Sequence, residues 1–284
     1  MIYQDLNDDW RVREEPLSRG PGNSQAILEA QDGWMPTRIP SDVRMPLIES
    51  GRIVDPVLGL ASFDSEWVEE RSWWYTRTFS VEPDLLNQDV VELVLESIDA
   101  DGEIFLNGRP LGHHRNSHYP FVSNVAGMLK HQNNVLLARV TVGSEHIDQD
   151  QVMPFKASVG KTYRRGDERR VFLRKPQYVF GWDWGPRVAT CGLPKDVYLR
   201  GASSVAARSC SVHTISASSD KAVLHVTAEV DNLHDYETCE ATIEFSLGLP
   251  RGKAESVVAP RTEKVTALLS SGSNYVDFDI EIDN

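Results

Sequence analysis

Regular alternation of apolar and polar residues marks the last third of the chain. Apolar side chains occupy every second position from Val276 to Ile282, and residues 223–230 and 241–247 contain further runs of the same kind. A period of two places one face of a strand against a core and the other face in water. This part of the chain is therefore predicted to form a small β-sandwich.

Short β-rich runs also occur in the earlier part of the chain, at residues 73–81, 90–95 and 135–142. A fourth run ends in Asn107-Gly108, a dipeptide that favours a two-residue hairpin turn. Sustained helical periodicity is absent, and many short strands separated by turns are typical of a sandwich or jelly roll. We therefore predict an all-β fold. Aromatic residues occupy both faces at the start of the run 73–81, which predicts that both faces are covered there.

The composition changes near Gly201, beyond which aromatic residues become rarer and the alternation becomes regular. We therefore predict two domains, a jelly-roll β-sandwich over residues 1–200 and an immunoglobulin-like β-sandwich over residues 201–284. An immunoglobulin-like domain needs about seven strands and about 100 residues. Because the second segment is shorter, we expect this second sandwich to be incomplete.

The chain of 284 residues is acidic, with 29 Lys and Arg against 42 Asp and Glu and a formal net charge of −13. Such a chain repels phosphate backbones and anionic lipid surfaces, so neither nucleic acid nor a membrane is expected as a partner. The amino terminus lacks a basic region followed by an apolar one, and the predicted compartment is the cytoplasm. Cys191, Cys210 and Cys239 lie far apart and are interpreted as buried or half-buried thiols.

Two segments have some features of metal sites. Residues 99–102 resemble the start of a calcium loop, but the twelfth position is Pro110, where a bidentate Glu is required, so a polar turn is the better interpretation. His113, His114 and His118 could together hold a metal ion. No carboxylate lies within that run, and we interpret it as a solvated loop near the edge of a ligand site. No metal and no cofactor are predicted.

The densest chemical signal lies in residues 174–187, where Trp182 and Trp184 flank Asp183. Aromatic faces stack on the apolar faces of sugar rings, and a carboxylate accepts hydrogen bonds from sugar hydroxyls. This combination suits a carbohydrate. The same residues are also compatible with two core tryptophans and an Asp that caps a turn, and composition alone leaves both interpretations open.

The segment 180–186, preceded by Arg174-Lys175 and Gln177-Tyr178, resembles the signature late in the amino-terminal domain of β-mannosidases of glycoside hydrolase family 2. Further segments resemble that family in the same order along the chain: Ile39-Pro40 with Leu47, residues 51–56, residues 67–79, residues 99–108 and residues 134–136. The resemblance is specific through about residue 200 and only architectural beyond it.

The resemblance implies a jelly-roll sugar-binding domain, an immunoglobulin-like domain and then a catalytic (β/α)₈ barrel that carries two Glu residues. Such a barrel needs about 250 residues of its own, which this sequence does not contain. We therefore expect no catalytic residue in this chain and no activity of the chain alone. The intact protein is expected to be a retaining exo-β-mannosidase that hydrolyses terminal β-mannosyl residues, with carbohydrate and the barrel of the same polypeptide as partners.

The resemblance also implies roles for individual residues. Asp183 is expected to accept hydrogen bonds from the terminal mannosyl unit, while Trp182 shapes the wall of the pocket. Trp184 is expected to pack into the domain. Gly181 and Gly185 would let the loop turn sharply, and Pro186 would fix its exit.

Two alternatives remain open from the sequence. The chain could be a stand-alone carbohydrate-binding module without a barrel. It could also belong to another family 2 exo-glycosidase, such as a glucosaminidase, galactosidase or glucuronidase.

Overall fold

A computed structural model of the protein describes residues 1–18, 20–148, 150–152, 168–248 and 261–283. The chain divides into two compact units, one over Ile2–Gly201 and one over Ala202–Asn284 together with Met1. The predicted fold class, an all-β chain built from a jelly-roll β-sandwich and an immunoglobulin-like β-sandwich, is confirmed. The identification of residues 1–200 as a sugar-binding domain and of residues 201–284 as an incomplete sandwich stays a prediction.

The first unit consists mainly of short strands. They are β1 (Ile2–Asp5), β2 (Trp10–Pro16), β3 (Met35–Thr37), β4 (Ser41–Asp42), β5 (Arg71–Phe79), β6 (Val90–Leu95), β7 (Asp101–Leu106), β8 (Arg109–His114), β9 (Phe121–Asn124), β10 (Asn134–Thr141), β11 (Gly192–Leu193) and β12 (Val197–Ala202). The α-helices between them are α1 (Ser24–Glu29), α2 (Arg44–Glu49), α3 (Ala61–Asp64) and α4 (Pro83–Leu86). Among the residues described, no helix is long and apolar enough to cross a membrane.

Two sheets form the sandwich of the first unit. One has the strand order β1-β12-β6-β9 and the other β3-β2-β5-β10-β7-β8, while β11 pairs with β4 in a small separate ladder. A single apolar cluster contains buried residues of both sheets, among them Trp73 and Tyr75 of β5, Leu93 of β6 and Leu199 of β12. The burial of this apolar surface between the sheets is the main force that holds them together.

The second face of β5 is also covered. Trp74 is fully buried with Phe105 and Leu137 against Ile27 of α1. The rings of Trp74 and Phe105 are stacked, with centroids 6.4 Å apart. The prediction that both faces of this strand are covered is therefore confirmed.

The Asn107-Gly108 hairpin is also confirmed. Both residues have positive φ, 53° and 77°, as a type I′ turn between β7 and β8 requires. The Asn107 side chain accepts a hydrogen bond from the backbone of Val135 at 2.9 Å and donates one to the carbonyl of Met128 at 2.8 Å. These bonds fix the turn against β10.

The second unit contains five strands in the part of the chain that the structure describes. They are β13 (Val205–Ala217), β14 (Lys221–Asn232), β15 (Cys239–Leu247), β16 (Arg261–Leu269) and β17 (Gly272–Asp283). The sheet β13-β14-β17 and the pair β15-β16 share an apolar core around Ala228, Val230, Leu269 and Val276. Cys210 is exposed on β13, so the expectation that every cysteine is at least half-buried is wrong for this residue.

Candidate functional site

The Trp-Asp-Trp motif forms a tight hairpin, here called the tip loop, made of Trp182, Asp183, Trp184 and Gly185. The backbone N–H of Trp182 donates to the carbonyl of Gly185, and the N–H of Gly185 donates to the carbonyl of Trp182, each at 3.3 Å. Asp183 is exposed at the tip, and no described residue donates a hydrogen bond to its carboxylate. Its role toward a sugar stays a prediction.

Both tryptophans of the tip loop are exposed, Trp182 to 46% and Trp184 to 72%. The expectation that Trp184 packs into the domain is therefore wrong. Trp184 is the second residue of the two-residue turn that Trp182 and Gly185 flank, at the exposed tip of the loop. Its ring lies instead against the ring of Tyr178, with centroids 5.9 Å apart.

The two glycines of the motif are not equivalent. Gly181 has φ +100°, and a Cβ there would lie 3.6 Å from Cβ of Arg187, so glycine is required by the backbone at this position. Gly185 has no positive φ and nothing within 4 Å of a Cβ. The conformational freedom expected at Gly185 is therefore not used, while Pro186 follows it on the exposed surface.

The base of the tip loop is anchored by a buried aromatic ring that two cations contact. Phe180 is 1% exposed, and Lys175 Nζ and Arg187 Cζ lie 5.7 and 5.9 Å from its ring centroid. Both distances are within the range of cation–π attraction. Arg187 also forms a short ion pair with Glu69. The tip loop is therefore exposed at its end and anchored by several side-chain contacts at its base.

A second buried cation, Arg44, supports the same region. Its Nη1 donates to the carbonyl of Ala189 at 2.7 Å, and its Nη2 lies 3.9 Å from Oε1 of Glu69. Burial raises the pKa of the Glu69 carboxyl, although the charges of Arg187 and Arg44 act in the opposite direction.

Asp42 lies on the other side of Arg44. Its Oδ2 accepts a hydrogen bond from the backbone of Cys191 at 2.7 Å and its Oδ1 accepts one from the backbone of Arg44 at 2.8 Å. Burial raises the pKa of the Asp42 carboxyl more than Arg44 and these bonds lower it. Elevated carboxyl pKa values in a cleft are a common property of functional sites.

Asp99 forms a buried ion pair with Lys175, with Oδ1 and Nζ 2.8 Å apart. The hydroxyl of Thr190 donates to Oδ2 of Asp99. Asp101, two residues along, instead contacts His113 Nε2 at 2.7 Å. The carboxylates of the possible calcium loop therefore bind different protein partners. Asp101 and Gly102 belong to strand β7, where they pair with β10, so the interpretation of residues 99–102 as a polar turn is wrong for these two residues.

The three histidines do not converge. His113 contacts Asp101, His114 Nε2 contacts the carbonyl of Asn116 at 2.7 Å, and His118 lies at the edge of a cavity. His113 and His114 end strand β8, so the interpretation of the whole run as a loop is wrong. No group of three or more His, Cys, Asp or Glu among the residues described is arranged to hold a metal ion.

A cavity of about 420 Å³ opens in the first unit beside Tyr178. It is lined by Ser41, Asp42, Ser97, Asp99, Ser117, His118, Pro176, Tyr178, Val179, Thr190, Cys191, Gly192, Pro194 and Lys195. Several of these residues can be singled out in the sequence, but their grouping around one cavity cannot be predicted from it. The fold of the first unit brings five separate segments to one site, and no local sequence pattern predicts that they meet.

Comparison with known proteins gives consistent matches. Residues 10–195 match the family described as glycosyl hydrolase 2 galactose-binding domain-like. The chain is 26% identical to β-mannosidase B of Aspergillus clavatus over 94% of its own length and 30% of that protein. It is 28% identical to a probable β-mannosidase of Caenorhabditis elegans over 56% of its length and 18% of that protein.

Solved structures agree with these matches. The β-D-mannosidase of Dictyoglomus thermophilum is similar with a TM-score of 0.75 and 25% identity, over 100% of this chain and 31% of that one. An exo-chitosanase of Amycolatopsis orientalis has a TM-score of 0.65 at 18% identity, over 100% of this chain and 29% of that one, which shows a shared fold. The chain thus spans about 30% of the length of the relatives that it matches over most of its own length.

Proposed function

Because the chain belongs to the family of glycosyl hydrolase 2 galactose-binding domain-like proteins, we propose that it is the amino-terminal, non-catalytic part of a retaining exo-β-mannosidase. Two of the relatives that it matches over most of its length, those of Aspergillus clavatus and Dictyoglomus thermophilum, are named β-mannosidases and are about three times as long. In this proposal, residues 1–200 form the sugar-binding domain and residues 201–284 form part of an immunoglobulin-like domain. The acid/base and the nucleophile belong to a barrel elsewhere in the polypeptide.

The tip loop is proposed to form one wall of the active-site pocket. The observation that carries this assignment is the exposed Asp183 carboxylate, which stands between Trp182 and Trp184 on a base anchored by Phe180. A carboxylate that no described residue donates to is available to sugar hydroxyls, and an anchored base limits the entropy lost when it binds them. Asp183 would accept bonds from the terminal mannosyl unit, and Trp182 would block longer chains.

The test is to replace Asp183 in the full-length polypeptide that carries this chain. For Asp183→Ala and Asp183→Asn we expect kcat/KM on an aryl β-mannoside to fall on the order of 10²–10³, because charge-assisted hydrogen bonds contribute about 1.5–3 kcal/mol each. The melting temperature should stay unchanged because the side chain is exposed. Asp64→Ala, which alters another exposed Asp of the first unit, is the matched control.

An unchanged kcat/KM in both Asp183 variants would end the assignment of this residue to the site. A fall in melting temperature that accounts for the lost activity would assign Asp183 a structural role instead. Aryl β-galactoside, β-glucuronide and β-glucosaminide are tested in parallel. A higher kcat/KM on any of them than on the mannoside would point to that sister activity.

A further inference from the structure

Glu69 connects two arginines that hold the exit segment of the tip loop, residues 186–189. One oxygen of its carboxylate pairs with Nη2 of Arg187, and the other lies 3.9 Å from Nη2 of Arg44. Arg187 lies just after the tip loop in the chain, and Nη1 of Arg44 donates to the carbonyl of Ala189 at 2.7 Å. Both cations therefore bind the chain where it leaves the tip loop, and both meet at one carboxylate.

The exit segment is joined in turn to the residues that enter the tip loop. The backbone N–H of Val188 donates to the carbonyl of Val179 at 2.9 Å. The guanidinium of Arg187 lies 5.9 Å from the ring centroid of Phe180. No described residue donates a hydrogen bond to the Asp183 carboxylate. The position of this carboxylate therefore depends on how the two ends of the loop are held.

The contacts of Glu69 are largely shielded from water. The side chains of Glu69 and Arg187 are each 11% exposed, and that of Arg44 is 4% exposed. Solvent and salt screen such charges less than they screen a surface salt bridge. Each arginine also has a second carboxylate in reach, because Asp42 lies 3.7 Å from Arg44 and Glu66 lies 4.0 Å from Arg187. Neutralisation of Glu69 would therefore loosen the exit segment without leaving either cation unpaired.

We propose that Glu69 is a positioning residue: through Arg187 and Arg44 it holds the tip loop where the loop's carboxylate can bind the sugar. This inference rests on the proposed function, in which Asp183 accepts hydrogen bonds from the terminal mannosyl unit. Glu69 itself contacts no substrate in this proposal and acts only through the loop. Its effect on the reaction is large because misplacement of a binding group by about 1 Å can cost on the order of a hundredfold in rate.

The first experiment observes the tip loop and requires no activity. In the ¹⁵N-labelled 284-residue chain, the {¹H}-¹⁵N NOE measures fast motion of the backbone amides of residues 182–185 and of the indole groups of Trp182 and Trp184. Glu69→Gln should lower these values relative to the parent. Glu70→Gln makes the same charge change at an exposed residue of the same 3₁₀ helix, and should leave them unchanged. Equal values in the two variants would overturn the proposal.

The second experiment measures turnover of the aryl β-mannoside by the full-length polypeptide. Glu69→Gln should lower kcat about tenfold and change KM by less than about twofold, because the loss falls on bonds that strengthen in the transition state. Glu69→Asp keeps the charge on a shorter side chain and should recover part of kcat, while Glu70→Gln should match the parent. A raised KM with unchanged kcat in Glu69→Gln would contradict the positioning role.

A double-mutant cycle with Asp183 separates positioning from a purely structural role. In the Asp183→Ala background, Glu69→Gln should change kcat/KM by less than about twofold, because the group that it positions is gone. A further tenfold fall in that background would show that Glu69 acts elsewhere and would overturn the proposal. Arg187→Gln, which leaves Glu69 beside Arg44, is the second variant should Glu69→Gln fail to fold, with the same results expected in both experiments.

Failure of this proposal can be told apart from failure of the proposed function. Low kcat/KM in Asp183→Ala together with parent-like kinetics in Glu69→Gln would end the positioning role of Glu69 and leave the site assignment standing. Unchanged kcat/KM in both variants would end the assignment of Asp183 to the site, and the positioning role with it. Lower NOE values in Glu69→Gln, lower kcat and non-additivity with Asp183→Ala would together support both proposals.

Discussion

The Lys175 side chain is fully shielded from solvent, and Asp99 lies 2.8 Å from its ammonium group in a nearly buried position. Two charges removed from water lose several kcal/mol of hydration each, which their mutual attraction restores only while both are present. The Thr190 carbonyl, which accepts a bond from Lys175, and the Thr190 hydroxyl, which donates to Asp99, complete the arrangement. Removal of one charge of this pair is therefore expected to lower the free energy of unfolding more than removal of both charges.

We expect Lys175→Met to lower the free energy of unfolding by about 3–5 kcal/mol, because Asp99 is left as an uncompensated buried charge. The double variant Lys175→Met/Asp99→Asn should recover part of that loss. Urea unfolding followed by tryptophan fluorescence measures both. Lys195→Met, which changes an exposed lysine at the edge of the cavity, should lie within about 0.5 kcal/mol of the parent. A double variant no more stable than Lys175→Met would contradict the explanation.

Glycine is required at one side of the tip loop and not at the other. Gly181→Ala forces an L residue to φ +100°, which should cost about 1–3 kcal/mol of stability. Gly185→Ala meets open space and an ordinary φ, and should change stability by about 0.5 kcal/mol or less. Scanning calorimetry of the two variants compares them directly. Equal melting temperatures would show that the backbone at Gly181 relaxes at little cost.

At the scale of elements, a cross-strand pair on β14 and β17 gives the second unit a pH dependence. His225 and Asp279 are directly opposite each other in the ladder, with Nδ1 and Oδ1 2.7 Å apart. This hydrogen bond raises the pKa of His225, and the charge of Asp277 acts in the same direction. Because the pKa is raised by folding, the pair stabilises the protonated form of the folded state.

The stabilisation should be complete below the unfolded pKa of about 6.5 and should disappear as the pH rises through the higher folded pKa. A ¹H NMR titration of the His225 ring should show a midpoint above that of a histidine in an unfolded chain. Asp279→Asn should lower this midpoint more than Glu281→Gln, which alters the next carboxylate along the same face of β17. Equal midpoints in the two variants would show that Asp279 is not the cause.

Strands with a clear pattern of apolar and polar residues could be predicted from the sequence, and strands without such a pattern could not. The strands β5, β6, β10, β14, β15 and β17 are near their predicted bounds because apolar residues there alternate or run together. β13 was missed because most of its residues beyond Ala206 are exposed, so no alternating pattern marks a buried face. β1 and β12 pair although nearly 200 residues separate them, a partnership that only the whole sandwich decides.

The candidate site likewise has some features that could be predicted from the sequence and others that could not. The motif around Asp183 could be singled out by its tryptophans and carboxylate, but residue types alone left a core interpretation open, and its role toward a sugar stays a prediction. The exposure of Trp184 could not be predicted, since it depends on the two-residue turn that Trp182 and Gly185 close. The cavity could not be predicted from the sequence because Ser41, Ser97 and Thr190 lie in separate segments that meet only in the folded sandwich.

At the scale of the whole molecule, the surroundings of Asp42, Asp99 and Asp183 bear on whether this chain carries catalytic carboxylates. Retaining glycoside hydrolysis needs an acid and a nucleophile about 5–5.5 Å apart across the scissile bond. Asp42 and Asp99 are each balanced by a buried cation, Arg44 and Lys175. Asp183 stands at an exposed tip where no described residue donates a hydrogen bond to it. Neither arrangement provides a protonated acid beside a free nucleophile.

We therefore expect the purified 284-residue chain to release no nitrophenol from an aryl β-mannoside above the buffer rate, while the full-length polypeptide turns it over. The chain must first be shown to be folded by its circular dichroism and a cooperative melting transition, so that inactivity is not the result of unfolding. Asp42→Asn, Asp99→Asn and Asp183→Asn are assayed beside it. Turnover by the parent chain that any one of these variants abolishes would place a catalytic carboxylate within this chain and refute its non-catalytic role.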